Sequence, residues 1–211
     1  MFNNWNLSTR MFLSFVFMGA IIFLVGLVGW YGNKQLVGNI KMLSDKTLPS
    51  AVSIWKVNEG QTQIESSERA LLNPGNSLGD REIELQRMER AKQQIKEGFE
   101  TYNKIPKQGR ESEAYEKMKV SWNEWESNHN EFLRLHEQFE SLGVLNPFEE
   151  QLALQENGQE NSAAMEQAKR ASEMLIKLRE RAKANRASFD KATQLLLEII
   201  KINENVAQDV E

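Results

Sequence analysis

Residues 11–31, MFLSFVFMGAIIFLVGLVGWY, decide how the rest of the chain is read. The stretch carries no charge and is rich in Phe, Leu, Ile, Val and Met. At 1.5 Å rise per residue, a helix of that length spans roughly 30 Å, the thickness of a bilayer's hydrocarbon core. Arg10 precedes it, Asn33 and Lys34 follow, and Trp30 and Tyr31 fall where amphipathic rings prefer the headgroup level. The pattern reads as a transmembrane helix retained as an anchor. A cleaved signal peptide fits less well: only one basic side chain leads in, and no small-residue cleavage site stands clear of Trp30-Tyr31. Gly19, Gly26 and Gly29 would admit a second helix, although Gly26 and Gly29 are too close together for the four-residue dimerisation pattern.

Outward from the anchor, about 180 residues remain, enough for one domain with a core of its own. The net charge of −4 is spread over interspersed acids and bases, as on solvated helix faces, and gives no electrostatic case for nucleic acid. There is no cysteine, which excludes disulfides, thiolate catalysis and Cys-based metal sites. Glu, Lys, Gln, Leu, Ala, Arg and Met dominate, the strong helix formers. The expected fold class is all-α.

A short polar leader, residues 1–10, precedes the membrane helix, and residues 32–211 form the bundle. The first bundle helix is expected at about 34–73. Its 3-4 register runs Leu36, Ile40, Leu43, Thr47, Ser50, Ile54, Val57, Gln61, Ile64, Glu68, Leu71, a seam interrupted by polar residues. Pro49 lies inside it and is expected to kink or restart the helix. Asn73-Pro74-Gly75-Asn76 ends it. The second helix, about 80–105, places Leu85, Met88, Lys92, Ile95, Phe99 and Tyr102 on one face, and Pro106-Lys107-Gln108-Gly109 closes it. The third, about 111–142, has the cleanest seam: Tyr115, Met118, Trp122, Trp125, His129, Phe132, His136, Phe139. Residues 143–161 read as a connection with a short helical turn near Phe148–Leu154. The fourth helix, about 162–211, has small residues in its first half that allow close approach. Four amphipathic helices joined by short turns favour an antiparallel up-and-down bundle. The first and fourth helices are the longest, and their extra length is expected at the membrane end.

This arrangement resembles the amino-terminal part of a bacterial methyl-accepting chemotaxis protein with a four-helix-bundle sensor domain. The resemblance rests on the Leu7-Ser8-Thr9-Arg10 leader, the membrane helix, Leu48-Pro49 in the first sensor helix, the Trp122-x-x-Trp125 pair and the long fourth helix. It implies a cytoplasmic leader, a bundle on the extracytoplasmic (periplasmic) side of the inner membrane, and a homodimer. Such a receptor senses a small-molecule ligand, directly or through a periplasmic binding protein, and transmits binding as a small displacement of the fourth helix. These receptors continue into a second transmembrane helix and a cytoplasmic signalling domain; the sequence stops at Asp209-Val210-Glu211 and reads as a fragment or truncated product of one. Charge counting alone leaves the orientation open, since long domains translocate largely regardless of charge.

Catalytic chemistry is not expected. His129 and His136 are seven residues apart on one helix, too far to share a metal, and read as polar positions in a core. No Ser/His/Asp spacing and no phosphate-cradling glycine loop occurs, so neither cofactor nor metal is expected. For ligand binding, Trp122 and Trp125, with Trp55, are candidates for an aromatic pocket. In the related aspartate and serine receptors, arginines in the distal part of the first helix grip a ligand carboxylate across the dimer interface. Arg69 matches them by location, with Lys169 and Arg170 as the other basic groups near that end. The alternatives are a membrane-anchored helical scaffold with no small-molecule ligand, and the input domain of a sensor kinase or cyclic-nucleotide enzyme.

Overall fold

The computed structural model describes residues 6–208. The first five residues of the expected leader and residues 209–211 of the expected fourth helix lie outside that range. The order is α1 (Leu7–Met42), a π turn (Leu43–Thr47), α2 (Leu48–Leu71), α3 (Leu78–Asn103), α4 (Gly109–Ser141), α5 (Pro147–Glu156) and α6 (Ala163–Gln208). Helix, turn and bend account for all the structure among the described residues, and none of it is strand.

Helical hydrogen bonding runs without a break from Leu7 to Leu71, 65 residues that include the apolar segment long enough to cross a membrane. Pro49 therefore neither ends nor restarts the helix. A proline ring collides with the carbonyl four residues earlier and offers no N–H. The π turn directly upstream accommodates one extra residue and redirects the carbonyls that would be obstructed.

Which helices pack closely is decided by residue size. On the α2–α3 side, a Cβ on Gly98 would stand 2.8 Å from the Ser53 carbonyl oxygen, and one on Gly60 2.6 Å from Ile95 Cγ1. Only glycine permits that approach. The α4–α6 side is lined by Ala114, Ser121, Ala171, Ser188 and Ala192, all buried. α2 also packs on α6. α3 and α4 approach each other least and meet through large rings, Phe99 against Trp122 and Tyr102 against Tyr115, both pairs with centroids 4.9 Å apart. The cross-section is thus narrow on two sides and wide on the α3–α4 side.

The seam on α2 is buried from Thr47 to Leu71, including its polar members Ser50, Gln61 and Glu68. Leu36 and Ile40 are exposed, because α1 has no helix packed beside it below the π turn. The extra length of α6 lies at the far end from α1. Near its carboxyl end Asn203 meets Glu111 at the start of α4, and Arg179 is already level with Leu72 at the end of α2. Residues 163–178 therefore extend beyond the end of α2. That extension is covered by Phe139 and Leu142 at the end of α4, and by α5, whose Leu154 packs on Met165 and Ala168. Pro147 at the first position and Asn146, accepting from Glu149 N, make α5 a ten-residue helix where the sequence suggested only a turn.

Ser77 caps α3 reciprocally: its Oγ accepts from Asp80 N at 3.2 Å, and Asp80 Oδ2 accepts from Ser77 N at 3.0 Å. The Ser77 hydroxyl, which donates to Asp80 Oδ2 at 2.7 Å, and then the Ser77 N–H hold the Asp80 carboxyl below its usual range. Gly143, at φ +69°, ends α4 in the left-handed conformation that other residues resist.

Candidate ligand-binding site between α3 and α4

The wide side of the bundle encloses a cavity of about 480 Å³. Ile64 of α2 and Ile95 of α3 line its inner part, Phe99, Trp122 and Trp125 supply aromatic walls, and Lys92, Lys96, Glu100, Glu126 and Asn130 line the remainder. Residues 122, 125 and 129 recur at helical spacing, so their rings form a ladder along α4. Trp122 and Trp125 have centroids 4.6 Å apart and tilted by 57°, and Trp125 stacks on the His129 imidazole at 5.8 Å and 12°.

His129 also completes a polar pair through the core. Its Nδ1 lies 2.6 Å from Glu68 Oε1, and both residues are at most 3% exposed. The pair lies between two openings: His129 lines the aromatic cavity, and Glu68 lines a shallower groove of about 250 Å³ between α2 and α6. His129 Nε2 is buried and has no hydrogen-bond partner. An orphaned buried polar atom in a native core calls for a physical account.

The candidates from sequence fall in different places. Trp122 and Trp125 are together in the cavity, whereas Trp55 is half-exposed on the outer face of α2 beside Val52 and Thr62, and does not join them. Arg69 is exposed and ion-paired with Glu65 on its own helix. Its neighbours across the groove are Arg179, Lys183 and Arg186, not Lys169 and Arg170, which lie about 15 Å beyond Arg179 along α6 at 1.5 Å per residue. Lys169 is paired with Glu166 at 3.5 Å, and Arg170 is exposed on the projecting part of α6. Those two were placed near Arg69 on the expectation that the extra length of the fourth helix lay at the membrane end.

Two polar clusters were not anticipated. At the end near α1, buried Glu111 accepts from Tyr102 Oη at 3.0 Å and from Asn203 Nδ2 at 3.1 Å, and its other oxygen is 3.8 Å from Lys46 Nζ in the π turn. One carboxylate thereby joins α3, α4, α6 and the π turn. Burial, and then Glu111 itself, push the Tyr102 phenol well above its usual range. At the opposite end, Arg81 is 1% exposed and donates to the carbonyls of Leu71 and Asn73, at 3.0 Å each.

Facing Arg81 Nη1 at 3.5 Å is His136 Nε2. Burial, reinforced by the guanidinium, pushes the His136 pKa from 6.5 down to about 4. Between those values the unfolded chain takes up a proton that the folded protein refuses. Stability is therefore full above pH 6.5 and falls as the pH drops toward 4, by about 3 kcal/mol at 1.36 per unit. Glu140, 3.6 Å from Nε2, has its pKa raised by burial and acts in the opposite sense. Urea unfolding of wild type and His136→Gln across this range isolates the histidine: the wild type should lose stability relative to the variant as pH falls from 6.5 to 4. Parallel curves would show that His136 does not titrate this way.

Among the described residues no group of three or more His, Asp or Glu could hold a metal ion. Residues 4–171 match the family described as a four helix bundle sensory module for signal transduction. No curated protein and no solved structure matches the chain. The match takes in α1 with its apolar run, α2 to α5, both rings of the aromatic pair and the start of α6. The chain belongs to the four-helix-bundle sensory modules of signal-transduction proteins.

Proposed function

We propose that the chain is the ligand-sensing input part of a transmembrane chemoreceptor, with a cytoplasmic leader, the bundle on the extracytoplasmic side of the inner membrane, and two copies per receptor. The observation that carries this reading is the unbroken helix from Leu7 to Leu71. A bundle whose first helix is also the membrane helix delivers any rearrangement of its core to the bilayer without a flexible joint. The Glu111 cluster, which ties the carboxyl end of α6 to the π turn, supplies a second mechanical link at the same level. Pairing through the outer face of α2, where Val52 and Trp55 are exposed, would place the two membrane helices side by side. A pure scaffold gains nothing from burying Ser50, Gln61, Glu68 and His129 in seam positions that Leu or Ile would fill more stably. A sensor needs such imperfectly satisfied groups, because they give a ligand something to bind and α6 something to respond to.

The test is thermal unfolding of the full chain in lipid nanodiscs against amino acids, organic acids, aromatic acids and amines. A compound at a hundred times its Kd stabilises the folded state by about 2.7 kcal/mol, which raises Tm by roughly 5–10 °C for a domain of this size. A specific, saturable rise is expected for one class. No shift with any class at millimolar concentration would favour the scaffold reading.

A further inference from the structure

The π turn decides which face of α1 stands in line with the bundle. Above it, Thr47, Ser50 and Ile54 are buried. Below it, Asn39, Met42 and Leu43 are half-buried, whereas the apolar Leu36 and Ile40 are 56% and 55% exposed. Counted back from Thr47 along an unbroken α-helix, the inward positions would be Leu43, Ile40 and Leu36. With one extra residue in the count they become Met42 or Leu43, and then Asn39. The second set is the one observed. The extra residue is held in the π turn, where Leu48 N–H donates to Leu43 O, five residues back.

Two features of the turn favour the other register. Ser53, Thr62 and Thr101 each donate their hydroxyl to the carbonyl four residues back. Thr47 is 3% exposed and its Oγ1 has no partner, the carbonyl four residues back, Leu43 O, being taken by Leu48 N–H. An α register would return that carbonyl to Thr47. It would also bring Leu36 and Ile40 round to the side where α6 packs against the turn. Pro49 opposes both, because in an α register its ring obstructs the carbonyl of Asp45. A satisfied hydroxyl and apolar burial thus favour one hydrogen-bond pattern, and a single ring the other.

We propose that residues 43–47 form a two-state switch, π in one state and α in the other, between which α1 turns by about 100° and moves about 1.5 Å along its axis. Its control is Glu111. Lys46, inside the turn, pairs with Glu111 at 3.8 Å, and Glu111 accepts from Asn203, near the carboxyl end of α6, at 3.1 Å. A displacement of α6 therefore acts on the turn through one carboxylate. The switch rests on the sensor reading only in what it serves, the passage of a bundle rearrangement to α1.

The chain has no cysteine, so Ile40→Cys and Met42→Cys each take a single nitroxide label in the full chain in lipid nanodiscs. Collision of each label with a water-soluble nickel chelate reports its exposure. Position 40 should be open and position 42 shielded; Pro49→Ala should exchange the two. Deleting Asp45, an exposed residue of the turn, from the Pro49→Ala protein removes the extra residue, so an α register then carries α1 in its original orientation. The original pattern should return, which a merely loosened turn would not produce. Glu111→Gln, which releases Lys46, should move both labels part of the way toward the Pro49→Ala pattern. Labels unmoved by Pro49→Ala, or not restored by the deletion, overturn the switch, and labels unmoved by Glu111→Gln overturn its control by α6. If the labels stay put while a compound raises Tm, the sensor reading survives and the switch does not. If they exchange and return as expected while no compound raises Tm, the switch stands without the sensor.

Discussion

Replacing Arg81 by Met should lower the unfolding free energy by about 4 kcal/mol, measured by urea unfolding followed through tryptophan fluorescence. Methionine retains most of the buried stem, so the loss reports the guanidinium. The last carbonyls of a helix have no partner within it, and they form the negative end of the helix dipole. At the end of α2, Arg69 O and Ala70 O accept from Leu72 and Asn73 N–H, and the buried Leu71 carbonyl is left to Arg81. Arg81 Nη1 donates to Leu71 O and Nη2 to Asn73 O, Nε reaches Asn76 O at 3.4 Å, and the group lies 5.4 Å from the centre of the Phe139 ring. Burial pulls its pKa down, and Glu140 raises it again. Removing the charge orphans the buried Leu71 carbonyl and the half-buried Asn76 carbonyl, while Asn73 O keeps the Asn76 N–H at 3.3 Å. Arg81→Lys should recover only part of the loss, since one ammonium cannot serve acceptors spread around a planar fork. A cost below about 1 kcal/mol for the methionine variant would mean that water replaces the arginine and that the turn is not sealed.

The parts of this fold readable in the sequence are those set by local chemistry. The long apolar first helix follows from an uncharged run, the four bundle helices from 3-4 registers, and the turns from Asn73-Pro74-Gly75-Asn76 and Pro106-Lys107-Gln108-Gly109. Seam positions such as Ile54, Val57, Met118 and Leu196 are buried as their spacing implies. What depends on the relative height of helices was not readable from spacing alone. Placing the surplus of α6 at the wrong end put Lys169 and Arg170 beside Arg69 in place of Arg179, Lys183 and Arg186. The Glu68–His129 pair had a trace in the sequence: an acid and a histidine each occupy a seam position, where an ionisable group must find a partner. Aligning α2 and α4 by their membrane-side ends, Thr47 with Glu111, would have brought the two to similar heights. The π turn had a weaker signal, a proline inside a register that does not otherwise stop. Glu111 had none, because its partners come from three other segments far apart in the chain.

The narrow α2–α3 side makes the second large prediction. Gly98→Val should destabilise the protein by about 4 kcal/mol and Gly98→Ala by about 2, against a helix-propensity gain of roughly 1 for the alanine. The gain fails to rescue the variant because of what the new Cβ meets. It would lie 2.8 Å from the Ser53 carbonyl oxygen and 2.8 Å from Val57 Cγ2, and a backbone oxygen in a helix cannot rotate aside as a side-chain tip can. α3 must therefore move off α2 as a unit. Gly79, in the first turn of α3, supplies the control: its added Cβ would meet only Ser77 Oγ at 3.7 Å, an ordinary contact, so Gly79→Ala should be neutral or stabilising by up to about 1 kcal/mol. A Gly98→Ala protein as stable as Gly79→Ala would show that α2 and α3 can separate freely. The glycines would then not set the width of the bundle, and the open α3–α4 side would need another cause.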